Sequence, residues 1–356
     1  MIVTVNSQQL AVELRLLNKI VPTKPAIAIL SHVLINAEFD ALHLYSTDFE
    51  VGLSTSCRAQ VEEPGTVALP VGKLLAMVEQ FPDADVNIRS DKKQTIVKCG
   101  AFKSQLQALS ADDFPKQPET EGTSCMMPGN VLSELIIRTR YSVSSVATKH
   151  VLQGSLLTIA GPAAAMAATD GKRLALSMAA CPEASLRVII PMKMLDVLIG
   201  QLGEEDVELT VGKNQSFFKV DDRLFISRLF EGEFPKYDRI IPRDNDKTIV
   251  VDRNMLAAAL RRVLVAAENN SATYVTVEPG RMEVVSSSVE VGSADESIAV
   301  EYAGSPLKVC INGNYVLDFL NAARGQTVEI KLKDQKTAAM LSDGPDNLAV
   351  VMVMRP

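Results

Sequence analysis

The 356-residue chain contains no tryptophan, only 5% aromatic residues and just three histidines. So few aromatics leave little material for platforms on which single-stranded bases could stack. His32, His43 and His150 lie far apart, and no metal-ligand spacing joins them. Cys57, Cys99, Cys125, Cys181 and Cys310 are odd in number and scattered without a C-x-x-C pair. That pattern excludes a disulfide framework and a zinc ribbon, and leaves reduced, buried thiols. No apolar run reaches about 18 residues, and the opening Met1-Ile2-Val3-Thr4-Val5 alternates like a strand instead of reading as a leader. No membrane partner is expected, and the expected location is cytoplasmic.

Catalytic signatures are missing too. The patterns G-x-x-x-x-G-K-[ST], G-x-G-x-x-G, G-x-S-x-G and H-E-x-x-H do not occur. The carboxylate pairs Asp112-Asp113, Glu204-Glu205-Asp206 and Asp221-Asp222 fall at turns or segment ends, where acids are ordinarily solvated. The reading is a non-enzyme with no catalytic residue, no metal and no cofactor.

What is present is a repeat. Val67-Ala-Leu-Pro-Val-Gly-Lys-Leu-Leu has a counterpart beginning at Val188 and a looser one at Val309, each offset by 121 residues. Every copy reads as a strand, a turn at Pro70, Pro191 or Asn312, an amphipathic helix and an alternating strand. A second helix precedes each, with apolar residues spaced like Leu10, Leu14 and Leu17. Copies one and two share a Thr-Asp turn (Thr47-Asp48, Thr169-Asp170) and a closing Phe-Pro (Phe114-Pro115, Phe234-Pro235), whereas the third has Ser286-Ser287 in the turn position. Asp170-Gly171 and Asp343-Gly344 read as hairpin turns. The period is too long for a solenoid, so the expected fold is α+β: three similar domains at 1–121, 122–245 and 246–356, each with two helices on antiparallel sheets. Pro115 to Gly122 and Arg243 to Lys247 read as the linkers.

Charge follows the same period. With 36 basic and 43 acidic residues the net charge is −7, and no repeat is basic overall. Yet the first helix of each repeat carries a basic pair: Arg15 with Lys19, Arg138 with Arg140, Arg261 with Arg262. For one helix a solvated face explains this; recurrence in three copies points to a track suited to phosphate contacts without base reading.

Three repeats, together with Ala168-Thr-Asp-Gly-Lys-Arg-Leu-Ala175, Phe234-Pro-Lys-Tyr-Asp-Arg-Ile-Ile-Pro242 and the terminal Val350-Val-Met-Val-Met-Arg355, resemble the bacterial β sliding clamps, processivity subunits of DNA polymerase III. The resemblance covers the whole chain. It implies a DNA clamp fold and a ring-shaped, head-to-tail homodimer that encircles duplex DNA without sequence specificity. Lys24, Lys149 and Lys193 match basic positions near the hole. It also implies a cleft for short peptides of DNA polymerase subunits, the clamp loader and other proteins with a clamp-binding motif. Leu152, Thr169, Gly171, Lys172, Arg173, Leu174, Pro235, Arg239, Ile240, Asn312 and Tyr315 match it, with Val350, Val351, Met352, Val353, Met354 and Arg355. From the pattern alone, Val350 to Met354 reads as a buried edge strand. At the dimer contact Lys73, Lys103, Ser104 and Leu106 match one side; Leu264 and Val265, with the acids Glu290, Asp295 and Glu296, match the other. Lys172, Val353 and Ser104 depart from the residues common there: a histidine, a proline and an aromatic. A second reading is a clamp-like scaffold that binds partner peptides without being the main loaded replication clamp.

Overall fold

Local signals set the helix starts. Asn6 accepts hydrogen bonds from the amides of Gln8 and Gln9 at 3.0 and 3.1 Å, Asp252 from Met255 at 2.8 Å, and Asn312 from Tyr315 at 3.1 Å. Each satisfies donors that a helix N-terminus otherwise leaves without partners. Behind the first cap, Leu10, Leu14 and Leu17 are fully buried, as the 3.6-residue period requires.

The computed structural model describes residues 1–91, 94–146, 150–268 and 270–355. In chain order the first repeat contains β1 (Ile2–Asn6), α1 (Ser7–Ile20), β2 (His32–Glu38), β3 (Ala41–Thr47), β4 (Val51–Glu63), β5 (Gly65–Pro70), α2 (Val71–Val78), β6 (Asp85–Ser90), β7 (Gln94–Cys99) and β8 (Phe102–Gln107). The second contains β9 (Thr123–Pro128), α3 (Gly129–Thr139), β10 (Gly154–Thr169), β11 (Arg173–Pro191), α4 (Met192–Leu198), β12 (Asp206–Val211), β13 (Gln215–Val220) and β14 (Arg223–Arg228). The third contains β15 (Lys247–Asp252), α5 (Arg253–Val263), β16 (Ala272–Glu278), β17 (Arg281–Ser288), β18 (Gly292–Ala299), β19 (Leu307–Asn312), α6 (Gly313–Ala322), β20 (Thr327–Leu332), β21 (Ala339–Gly344) and β22 (Asn347–Val351). Two α-helices per repeat thus stand where the periodicity puts them. None is long and apolar enough to cross a membrane.

The chain gathers into two units that do not follow the repeats. Unit 1 comprises Met1–Asn130 and Lys193–Leu229; unit 2 comprises Val131–Met192 and Phe230–Pro356. A 12-stranded antiparallel sheet in unit 1 runs β8-β7-β6-β1-β4-β14-β13-β12-β9, with β2, β3 and β5 joined at β4. Unit 2 holds a six-stranded sheet, β10-β11-β22-β21-β20-β15, and a four-stranded one, β18-β17-β16-β19. Strand β4 joins repeats: Leu53 sits opposite Phe225 of β14. In unit 2, β11 does the same, with Leu174 opposite Val350 of β22.

Two turns move relative to expectation. Ser286 and Ser287 belong to β17, and the turn lies at residues 289–291 instead. Ser286 is fully buried, with its hydroxyl 3.0 Å from that of Thr273, so it cannot sit at a solvated tip. Gly344 is still paired, opposite Asn347, which places the turn at Pro345-Asp346.

Candidate functional site: an apolar cleft in unit 2

The hairpin β10–β11 turns through Asp170-Gly171-Lys172, and side chains fix its shape. Thr169 Oγ1 accepts from the Gly171 amide at 3.1 Å and donates to the Arg173 carbonyl at 2.6 Å. Asp170 Oδ1 accepts from the amides of Lys172 and Arg173 at 2.8 and 3.0 Å. Gly171 has φ +89°, a conformation that glycine adopts without penalty.

Beneath the turn lies an apolar cluster made of Leu152, Leu156, Ala167, Leu174, Leu176, Ile189, Phe234, Ala338 and Val350. Leu152, Leu174 and Val350, all expected at the cleft, are among them; Val351 is buried in the neighbouring core instead. The residue missed is Phe234, for which the sequence did offer a signal, the Phe-Pro that closes the repeat. Its ring meets Tyr237 edge-on at 6.4 Å, and the turn that follows leaves Pro235, Arg239 and Ile240 exposed. Burial, with the charge of Asp238, raises the Tyr237 pKa against the opposing pull of Arg187.

Beyond β22 the chain crosses from one sheet to the other. The Met352 amide donates to the Lys172 carbonyl at 3.1 Å and the Met354 amide to the Cys310 carbonyl at 2.7 Å. Met352 is 48% exposed, Val353 packs on the neighbouring core, and Arg355 is exposed.

Arg173 occupies a place the sequence did not reveal. Its Nε donates to Asp170 at 3.1 Å, Nη1 to Asp318 at 2.5 Å and Nη2 to the Tyr141 carbonyl at 2.5 Å. The guanidinium lies 4.2 Å from the Tyr315 ring centroid and 5.6 Å from that of Tyr141. With its side chain 11% exposed, it ties the hairpin turn to α6 and to the chain after α3. Its hydrogen-bonding groups are thus occupied within the protein. Burial raises the Tyr141 pKa above the usual phenol range. Asn312 is committed as well, since it caps α6 and donates to the Asn270 carbonyl at 2.9 Å. The groups left for a ligand are an apolar floor, strand-edge backbone and the exposed cations Lys172, Arg239 and Arg355. Such a surface suits an extended peptide with apolar anchors.

The basic set divides between the units. In unit 1, Lys19 and Lys24 are exposed, Arg15 pairs with Glu79 at 2.6 Å, and Lys193 binds Asp48 and the Ile20 carbonyl. In unit 2, Arg138 pairs with Glu134 at 2.6 Å, Arg140 is half-buried on the turn after α3, and Arg261 donates to Asn321 at 2.7 Å. Arg262, expected to face DNA, and Glu296, expected at a dimer contact, bond to each other at 2.5 and 2.7 Å. Lys149 lies outside the described residues. Among the described residues no group of three or more His, Cys, Asp and Glu side chains could hold a metal.

Five of the nine expected dimer residues sit on outer strands. Lys103, Ser104 and Leu106 lie on β8, an outer strand of the 12-stranded sheet, and Lys73 is exposed on α2. Asp295 and Glu296 lie on β18, an outer strand of the four-stranded sheet. Glu290 is in the turn before it, and Leu264 and the 76%-exposed Val265 follow α5.

Comparison with known proteins matches three models to this chain: the DNA polymerase III beta subunit N-terminal domain over residues 1–118, the central domain over 126–236 and the C-terminal domain over 238–355. The beta sliding clamp of Pseudomonas putida is 31% identical, with 99% of each chain covered. That of Caulobacter vibrioides is 30% identical, covering 95% of this chain and 94% of its own. A crystal structure of the DNA polymerase III subunit beta from Pseudomonas aeruginosa superposes with a TM-score of 0.94 at 30% identity, both chains fully covered. A sliding clamp from Bartonella birtlesii, solved bound to griselimycin, gives 0.96 at 27% identity, again over both whole chains.

Proposed function

The chain belongs to the DNA polymerase III beta subunit family, the bacterial sliding clamps, and from that premise we propose how its own residues perform the task. It is a DNA sliding clamp with three clamp domains, whose limits we set at 1–121, 122–245 and 246–356. The family matches run close to these limits, except that the third begins at residue 238.

One observation supports a closed, head-to-tail homodimer. The repeats make β8, β14 and β22 the last strands of the equivalent runs β6-β7-β8, β12-β13-β14 and β20-β21-β22, and put β4, β11 and β18 at equivalent places in their hairpins. Strand β14 pairs with β4 and β22 with β11, which leaves β8 and β18 each with one open edge among the described residues. Open edges invite pairing. Pairing β8 of one protomer with β18 of its partner completes the pattern and closes a ring. Lys103 on one strand then meets Asp295 and Glu290 on and beside the other.

In the ring the basic helix residues face duplex DNA. Because Arg15, Arg138, Lys193 and Arg262 already hold carboxylates, their attraction for phosphate is moderated. Weak backbone contacts without base reading let the ring slide. The clamp acts as a non-catalytic, cytoplasmic processivity subunit: the unit 2 cleft captures peptides of DNA polymerase subunits, the clamp loader and other partners, and topology keeps them on DNA.

The test is loading by a clamp loader onto nicked circular DNA, followed by linearisation. Retention on circles with loss from linear molecules is expected; equal retention on both would refute the clamp mechanism. The scaffold reading takes its support from Ser104, a small polar residue on the unpaired edge of β8. A light-scattering mass of one chain at micromolar concentration would favour it.

A further inference from the structure

The turn between β3 and β4 in unit 1 is built like the turn of the unit 2 cleft. Thr47 Oγ1 accepts from the Phe49 amide at 3.0 Å and donates to the Val51 carbonyl at 2.9 Å. Asp48 Oδ1 accepts from the amides of Glu50 and Val51 at 3.0 and 2.8 Å. These are the bonds that Thr169 and Asp170 make 122 residues later. The next strand follows suit. Ile226 of β14 sits opposite Gly52 as Val350 of β22 sits opposite Leu174. Below, Leu30, Tyr45, Phe114 and Ile226 form an apolar cluster, as Leu152, Ala167, Phe234 and Val350 do in the other cleft.

A cavity of about 270 Å³ opens over this cluster, walled by Tyr45, Phe49, Pro115, Lys116, Ile226 and Arg228 among others. Pro115 is the counterpart of Pro235. The differences between the clefts are informative. Val51 and Gly52 stand where Arg173 and Leu174 stand, so position 51 puts no guanidinium into the space and position 52 puts no side chain against the Tyr45 ring, which a Cβ on Gly52 would approach to 3.3 Å. Phe49 replaces Gly171 and holds φ +74°, although its side chain is 55% exposed. A bulky residue in the left-handed region is an outlier of the kind that collects at ligand clamps. The volume lies just under the roughly 300–1,000 Å³ of small-molecule sites, which suits one large anchoring side chain. At the mouth, Lys116 and Arg228 are exposed and form no ion pair among the described residues, against the single carboxylate of Glu50.

From these features we infer that unit 1 carries a second peptide-docking site, for a short extended segment in which acidic residues flank one aromatic or aliphatic anchor. The inference rests on the reading of the unit 2 cleft as a peptide site, and the two can be tested separately. The full-length protein, methyl-labelled at isoleucine and valine, is titrated with acetyl-Glu-Asp-Phe-Asp-amide, with acetyl-Lys-Lys-Phe-Lys-amide as the charge control. Ile226 reports on unit 1 and Val350 on unit 2. A saturable shift of the Ile226 methyl is expected, weakened about five- to tenfold by Arg228→Glu or Lys116→Glu and by at least that much for the basic peptide. A shift of Val350 with Ile226 unmoved would overturn the second site and leave the first reading standing. A shift of Ile226 alone would support the second site and count against the first. Movement at neither reporter would remove both, and an Arg228→Glu variant of unchanged affinity would refute the acidic ligand.

Discussion

Replacing Arg173 with alanine takes one guanidinium away from Asp170, Asp318 and the Tyr141 carbonyl, and out from between two tyrosine rings. Removing one partner of a buried ion pair costs about 3–5 kcal/mol, because the other charge is left without compensation. Here Asp170 is 16% exposed but Asp318 is 40% exposed, so water recovers part of that loss. Lost cation–π contacts add about 0.5–2 kcal/mol. A net local cost of about 2–4 kcal/mol is expected, or about 30- to 700-fold in an opening equilibrium at about 1.4 kcal/mol per decade. Native-state hydrogen exchange reads this directly at the amides of Lys172 and Met352, which bond to Asp170 and to the Lys172 carbonyl. Arg173→Lys keeps the charge but not the planar fork and should lose protection about tenfold. Protection within threefold of wild type in Arg173→Ala would refute the tie of the turn to α6.

Further outcomes follow from other sites. Glu13, nearly buried, accepts from Arg223 at 2.6 and 3.0 Å and from Thr55 at 2.7 Å, so Glu13→Gln should destabilise unit 1 by about 2–4 kcal/mol in urea unfolding; a midpoint unchanged from wild type would count against it. Burial, with the charge of Glu13, pushes the Cys57 thiol up to about 12, so iodoacetamide at pH 8 should label it about a thousandfold more slowly than a free thiol, as peptide mass mapping would show. Burial raises the Glu134 carboxyl, but Arg324 and Arg138 outweigh it and hold its pKa below the ordinary value. The stability this adds is present above the unfolded-state pKa of about 4.3 and is lost as pH falls through the depressed native value. The Tm deficit of Glu134→Gln should therefore be full above pH 5 and vanish in acid; a deficit independent of pH would refute the assignment. Leu106→Asp on β8 should shift the light-scattering mass from two chains to one, and an intact dimer would exclude that edge from the interface.

Much of the fold was legible because it repeats. The Thr-Asp turns, the turn at Asn312 and the 121-residue offset are local signals, and the helices and hairpins followed from them, whereas the cleft residues were indicated only by the resemblance to the sliding clamps. Less legible were features decided by partners distant in sequence. Asp318 and Tyr141 carry no mark that they would converge on Arg173, and Asn312 looked available for a ligand although its carboxamide closes a helix end. Ser286 read as a turn residue because the repeat sets it where the other two copies have Thr-Asp; burial against Thr273 decides otherwise. The basic residues were visible, but their carboxylate partners, Glu79, Glu134, Asp48 and Glu296, lie elsewhere in the sequence.

The long strands β4 and β11 carry a consequence for how this chain can be cut. Each begins inside one copy of the repeat and lends its first residues to a strand of the next, so the copy that was duplicated and the body that folds together have different borders. A fragment that ends at residue 122 keeps a whole repeat yet bares the Val51 to Ser54 edge of β4, and should be prone to aggregate. Fragments or chimeras of this protein should keep their sheets whole only when joined at 130, 192 and 229, the borders of the two units, rather than where the sequence starts over.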